Sequence, residues 1–270
     1  MKAVKRNLGP LEAQLLAYAQ MRRLRKLRRG EISRALQISP RQEAKLFSRL
    51  TTARVIARVW RGVYLVPDRL PLGGIWTPSD ALALATLMEE RKGRYQVCGP
   101  NAFRRYGFDN QIPVRVYAYN NRISGDRVIG AISLSLIKVA DERLGDTEEE
   151  VSSFDGSPLV YSSRARTLLD AVYDWSRFNT LPRAYRWIRS DLAAGRVSAR
   201  AVVQVTLRYG DVGTIRRMGA FLEAEGVASA QLRPLERALK PTKGLIPSVP
   251  NRPLRGKANR RWGVLQNSDV

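Results

Sequence analysis

Residues 37–66 read QISPRQEAKLFSRLTTARVIARVWRGVYLV, and the architecture of the N-terminal region turns on them. Ser39 before Pro40 marks a helix start. The hydroxyl can accept an N–H of the first turn, the proline lacks an N–H where none is needed, and Gln42 can complete a capping box. The helix that opens there is expected to reach about Thr52, burying Ala44, Phe47 and Leu50. Its other face carries Arg41, Gln42, Lys45, Ser48 and Arg49. Two apolar runs follow, Val55–Val59 and Val63–Val66, joined at Trp60-Arg61-Gly62. They predict a β-hairpin with Arg58 and Arg61 at its tip.

Upstream, Leu11, Leu15, Leu16, Ala19 and Leu24 recur at helical spacing behind Pro10. This first helix is expected to end in the basic run Arg22–Arg29. A short second helix is expected over Glu31–Leu36, with Ile32, Ala35 and Leu36 facing inward. Helix, helix, turn, helix, hairpin is the order of a winged helix-turn-helix, whose third helix enters the DNA major groove. Ser39, Arg41, Gln42, Lys45 and Arg49 are then the candidate base contacts, since arginine can take guanine and glutamine adenine bidentately. Lys5, Arg6, Arg28, Arg29, Arg54, Arg58 and Arg61 are candidate backbone or wing contacts. The competing reading is a small helical domain with a solvated charged face. Cap, turn, helix length and charge agree on the DNA-binding one.

The charge balance points the same way. The 270 residues hold 47 Lys and Arg against 24 Asp and Glu, a net charge of +23. An excess of that size suits a polyanionic partner. Residues 1–70 contain 17 basic and 4 acidic side chains, so 17 − 4 = +13 falls in that segment. Asp141–Asp155 is acidic by contrast and is expected as a solvated loop. Histidine is absent, which excludes Ser-His and Cys-His nucleophile pairs and imidazole metal sites. The lone Cys98 excludes an intrachain disulfide and is expected as a small buried hydrophobe. The N-terminus has no apolar segment of signal-peptide type and no apolar run would span a bilayer. A cytoplasmic protein is expected, at the nucleoid when bound to DNA, without a membrane partner.

Pro/Gly-rich residues 71–76 are expected as a linker between a DNA-binding domain, 1–70, and an α+β domain, 77–240. In the latter, helices are expected over Ser79–Glu90 and Pro100–Tyr106. Strands are expected at Tyr95–Val97, Val114–Tyr119 and within Val128–Val139, with a hairpin turn at Phe154–Ser157. A helical bundle should fill Ser163–Lys240. Residues 241–270 are expected as a flexible basic tail. No phosphate-binding loop is present. Asp170, Asp174 and Asp211 could be imagined as metal ligands, but beside Arg177, Arg208 and Arg216 they read as ion-pair partners. Trp175 and Trp187 sit at core spacing. No cofactor and no enzymatic activity are expected.

Four segments carry a resemblance: SSRARTLLDAVYDWSRF at 162–178, LPRAYRWI at 181–188, YGDVGTIRRMGAFLE at 209–223, and RRYGFDNQIP at 104–113 with the VRVYAYNNRISG that follows. Together they resemble the C-terminal domain of AbiEi-type antitoxins, of bacterial type IV abortive-infection toxin–antitoxin systems. With the N-terminal segment, the resemblance spans roughly residues 10–240. Asp211 stands where the family's common version of the phrase has asparagine. The resemblance implies repression of the protein's own operon through operator inverted repeats. It also implies neutralisation, by the C-terminal domain, of a co-expressed nucleotidyltransferase-like toxin, without a stable complex being required. Two other readings stay open. A stand-alone transcriptional regulator would have a dimerisation domain or a ligand pocket of a few hundred Å3 with convergent polar groups. A nuclease would need converging carboxylates and a divalent ion.

Overall fold

A computed structural model describes residues 8–71, 74–242 and 244–268 as a mixed α+β protein. The elements in chain order are α1 (Pro10–Met21), β1 (Lys26–Arg28), α2 (Glu31–Ala35), α3 (Pro40–Thr52), β2 (Ala57–Trp60), β3 (Val63–Leu65), α4 (Asp80–Glu90) and β4 (Tyr95–Val97). There follow α5 (Gly99–Arg105), β5 (Val116–Asn120), β6 (Gly125–Ile129), β7 (Ile132–Lys138), a 3-10 turn at Asp141–Arg143, β8 (Thr147–Val151) and β9 (Pro158–Ser162). The remainder is α6 (Arg164–Tyr173), α7 (Trp175–Phe178), α8 (Arg183–Ala193), α9 (Ala199–Tyr209), α10 (Val212–Ala224), α11 (Ser229–Arg237), β10 (Ile246–Pro247), β11 (Lys257–Asn259) and β12 (Val264–Gln266).

The chain forms two compact units. The first takes the chain up to Tyr95, with Val114–Val139 and Glu149–Leu159; the second takes Gln96–Pro113, Ala140–Glu148 and the chain from Val160 onward. This differs from the expected boundary at 71–76, and the cause is visible in the contacts. After residue 76 the chain returns onto the N-terminal strands. The Trp76 N–H donates to the Arg54 carbonyl at 2.8 Å, and α4 packs on β2. Lys26 Nζ binds Glu89 at 2.8 Å and Glu90 at 3.1 Å, and Arg28 reaches Glu90 at 2.6 Å. Burial alone would depress the Lys26 ammonium, but these bonds to Glu89 and Glu90 outweigh it and hold Lys26 above the ordinary lysine value. The strands β5, β6 and β7 also belong to the first unit, with β5 parallel and β6 antiparallel to β7.

The segment Arg22–Arg29 is likewise not the end of a helix. The chain stops helical winding at Met21, turns through Arg23 in the left-handed region (φ 54°) and becomes β1. Leu27 is fully buried there while Arg28 is exposed, a strand alternation. Antiparallel pairing places β3 between β1 and β2.

In the second unit, helix starts follow the hydroxyl and carboxylate caps. Ser163, Ser198 and Asp211 accept the N–H groups of Arg166, Ala201 and Thr214. Asp211, expected as an ion-pair partner, is thus a cap, with no ion pair among the described residues. Asp170 pairs with Arg166 at 2.9 Å and Arg143 at 3.4 Å, and Asp174 faces Arg177 at 3.8 Å. Cys98 is buried, and Trp175 and Trp187 pack against the core. The acidic segment expected as a loop instead forms the 3-10 turn and β8, a strand exposed along its length.

Residues 241–270 depart furthest from expectation. Among those described, β12 pairs with both β10 and β11. Trp262 is 1% exposed and joins the helical core. It fits because residue 219 is glycine: a Cβ there would lie 2.2 Å from the indole. Arg216 donates to the carbonyls of Trp262, Gly244 and Gly263. Glu223 accepts from the Trp262 indole at 3.1 Å and from Arg261 at 2.6 Å. The segment is therefore part of the fold. Trp262→Ala is expected to destabilise the protein by about 3–5 kcal/mol, as buried tryptophan truncations do. Chemical denaturation checks this; a stability equal to wild type would show the segment to be loosely attached.

Candidate nucleic-acid interface

The first unit builds its basic face from α2, α3 and the β2–β3 hairpin. The α3 start follows the sequence expectation. Ser39 Oγ accepts the Gln42 N–H at 3.2 Å, and Gln42 Oε1 accepts the Ser39 N–H at 2.8 Å. The inward stripe of α3 is Glu43, Leu46, Phe47 and Leu50, at i, i+3, i+4 and i+7, with Ala44 only half-buried. Phe47 stacks on Tyr64 of β3 with ring centroids 4.2 Å apart and planes 2° from parallel, which ties the helix to the hairpin.

Glu43 is fully buried. Its Oε1 accepts the N–H groups of Gly30 at 3.0 Å, Ile32 at 3.1 Å and Ser33 at 3.0 Å, and its Oε2 accepts Gly30 at 2.9 Å. Those donors are the first N–H groups of α2. Gly30, at its N-cap, has φ 88° and no side chain to cap with. A carboxylate from α3 therefore caps α2 and meets the positive end of its dipole. In α2 only Ile32 is buried; Ala35, expected to face inward, is exposed.

The candidate contacts divide by how they are engaged. Arg41 and Lys45 are exposed, and among the described residues no carboxylate pairs with either. Ser39 and Gln42 are exposed, but each is held in the capping box, so reading adenine through both amide atoms would compete with the Gln42 Oε1 bond. Arg49 pairs with Glu12 at 3.5 Å and Arg28 with Glu90 at 2.6 Å. Arg54 is exposed in a left-handed turn at φ 56°. Lys5 and Arg6 lie outside the described residues.

Arg29, Arg58 and Arg61 converge. With Ser48, Thr52 and Tyr64 they line a groove of about 500 Å3 between α3 and the hairpin. No carboxylate pairs with these three arginines among the described residues. Arg41 and Lys45 are in helical register with Ser48 and Thr52, so α3 presents one polar stripe continuous with the groove.

Three features escaped the sequence reading. Glu43 had a signal, its place on the apolar period. β1 had none, being a basic run. Trp60, assigned to the hairpin turn, is the last residue of β2; its ring is approached by Arg91 at 4.7 Å and Arg127 at 5.4 Å, two cations from distant segments.

No protein-family model matches the chain, and no curated protein matches it. Among solved structures it is similar to the crystal structure of the RV2827C protein from Mycobacterium tuberculosis. The TM-score is 0.62 over 97% of this chain and 92% of that one, at 12% identity. At that identity the likeness is one of fold.

Replacing Glu43 tests the capping arrangement. Glu43→Ala removes the acceptor of three N–H groups, that of Ile32 buried and those of Gly30 and Ser33 part-buried, and is expected to cost about 2–4 kcal/mol. Glu43→Gln, which keeps one acceptor oxygen, should cost less. Thermal denaturation of both checks the order; equal stabilities for Ala and Gln would remove the capping role.

Proposed function

We propose that this protein binds double-stranded DNA through its first unit, acting as a winged helix-turn-helix. In this reading α2 and α3 form the helix-turn-helix, α3 enters the major groove, and the β2–β3 hairpin is the wing. The observation that carries it is the uncompensated basic surface. Arg41 and Lys45 on the first turns of α3 continue into the groove of Arg29, Arg58 and Arg61, while cations elsewhere in the unit, such as Lys26 and Arg28, are neutralised. The N-terminal turns of such a helix lie nearest the base edges. Arginines on a wing suit phosphates or the minor groove.

The resemblance of residues 162–223 extends the proposal. The protein would repress its own operon at inverted repeats and act as the antitoxin against a co-expressed nucleotidyltransferase-like toxin. That role asks for no catalytic residues, cofactor or membrane, and places the protein in the cytoplasm, at the nucleoid when bound to DNA. No helix among the described residues is long and apolar enough to cross a membrane. The alternative is a stand-alone transcriptional regulator, which shares the DNA interface and lacks the toxin.

Gel-shift titration against the chain's own promoter and a random duplex tests the interface. Arg41→Ala should cost roughly 1–3 kcal/mol on the promoter and much less on random DNA. Arg61→Ala should weaken both alike and reduce the salt slope by about one. Arg28→Ala, whose side chain is held by Glu90, should change little. A folded Arg41→Ala/Lys45→Ala protein with undiminished promoter affinity would remove α3 from the interface. The same double variant, co-expressed with the neighbouring gene product, should derepress the operon yet still protect cells. Loss of protection would refute a separate antitoxin surface, and a neighbouring product that is not toxic would favour the stand-alone regulator.

A further inference from the structure

The second unit contains a cavity of about 420 Å3 bounded by α8, α10 and the C-terminal strands β11 and β12. That volume is in the range of small-molecule sites. Tyr185 and Phe221, stacked at 4.9 Å, and Ala224 supply apolar wall. The acid in the lining, Glu225, is already neutralised by Arg189 through two bonds of 2.8 and 2.7 Å.

Arg217 is the unbalanced group. It lines the cavity, is half-buried, and among the described residues donates one hydrogen bond, from Nε to the Pro247 carbonyl at 3.2 Å. Among the described residues no carboxylate forms an ion pair with it. Its neighbour Arg216 is also buried without an ion pair among the described residues, but its Nε and Nη2 donate to three carbonyls. Burying a cation without a partner is costly, and the usual relief is a counter-ion. Burial holds the Arg217 guanidinium below the ordinary arginine value, against the weaker pull of Tyr185 and Asp211. Lys257, exposed at the same cavity, adds a second positive charge.

We propose that this cavity binds a small organic anion, a carboxylate or phosphate carried on an apolar body, and that Arg217 pairs with the anionic group. The site is built from residues of the second unit alone and does not rest on the proposed DNA interface.

Isothermal titration calorimetry of the full chain with phenyl phosphate and with benzoate tests this, with phenol as the uncharged control. At least one anion should bind, its identity separating phosphate from carboxylate ligands, and phenol should not. Arg217→Met should weaken binding by about tenfold or more, and Lys257→Ala by about two- to threefold, the more exposed cation being the more screened. Because Arg217 touches the fold, Ala224→Trp is the second variant: residue 224 is exposed, and the indole should fill the cavity and abolish binding. Arg58→Ala/Arg61→Ala in the first unit should leave the affinity unchanged. The proposal is overturned if neither anion binds, if binding survives Ala224→Trp, or if the arginines of the first unit account for it. It is also overturned if binding emerges only in a chain ending at Ser268, since the cavity's occupant would then be the chain's own end.

Discussion

The basic face of the first unit depends on one buried carboxylate. At five residues, α2 is too short to be stable by its own backbone hydrogen bonds. Only Ile32 of α2 enters the core, and Gly30 offers no side chain to its first N–H groups. Glu43 supplies what is missing and fixes α2 against α3 at the point where the chain turns between them. Hydrogen bonds from three N–H groups offset the cost of burying the charge, and the helix dipole adds to them. The Phe47–Tyr64 stack does for the hairpin what Glu43 does for α2. Between them, the two contacts from α3 set where Arg29, Arg58 and Arg61 stand relative to the outer stripe of the helix.

A charge of +23 is therefore not a uniform property of the surface. Part of it is structural. Lys26 and Arg28 hold α4 to β1 through Glu89 and Glu90, Arg164 meets Asp191 at 2.6 Å, and Arg166 is fully buried on Asp170. Such cations are poor candidates for contacting a polyanion, since recruiting them would expose or abandon their acids. Arginines with no carboxylate cost nothing comparable to redirect. Counting basic residues along the sequence cannot separate the two kinds.

What the sequence made legible were the local rules. Ser39-Pro40 with Gln42, Ser79 and Ser163 all stand where helices begin, because a cap needs only residues within one turn. The hairpin was legible through Gly62, whose φ of 73° favours glycine. Features set by distant partners were not. β1 exists because β3 pairs with it and Leu27 finds a core, while its flanks Arg25, Lys26, Arg28 and Arg29 read as the end of a charged helix. Residues 241–268 read as a basic, proline-containing tail, because the fit of Trp262 depends on the missing Cβ of Gly219. Glu43 lies between: it shares the apolar period of Leu46, Phe47 and Leu50, but Ala44 was expected on the buried stripe instead, because an acid there needs donors that a single helix does not reveal.

Arg216 and Arg217 show the same limit at its finest scale. They are adjacent on α10, chemically identical, and about 100° apart around the helix axis. That rotation turns one into the carbonyls of Gly244, Trp262 and Gly263, where it fastens the C-terminal strands to α10. It turns the other along the wall of a cavity, where among the described residues it donates to the Pro247 carbonyl. The two must be understood together. The strands that Arg216 fastens carry Lys257 and Val264 to the cavity, so the contact that completes the core also builds the pocket in which Arg217 has no carboxylate ion pair among the described residues. A cation left there without an ion-pair partner among the described residues, drawn only weakly by Tyr185 and Asp211, follows from the fold of the unit.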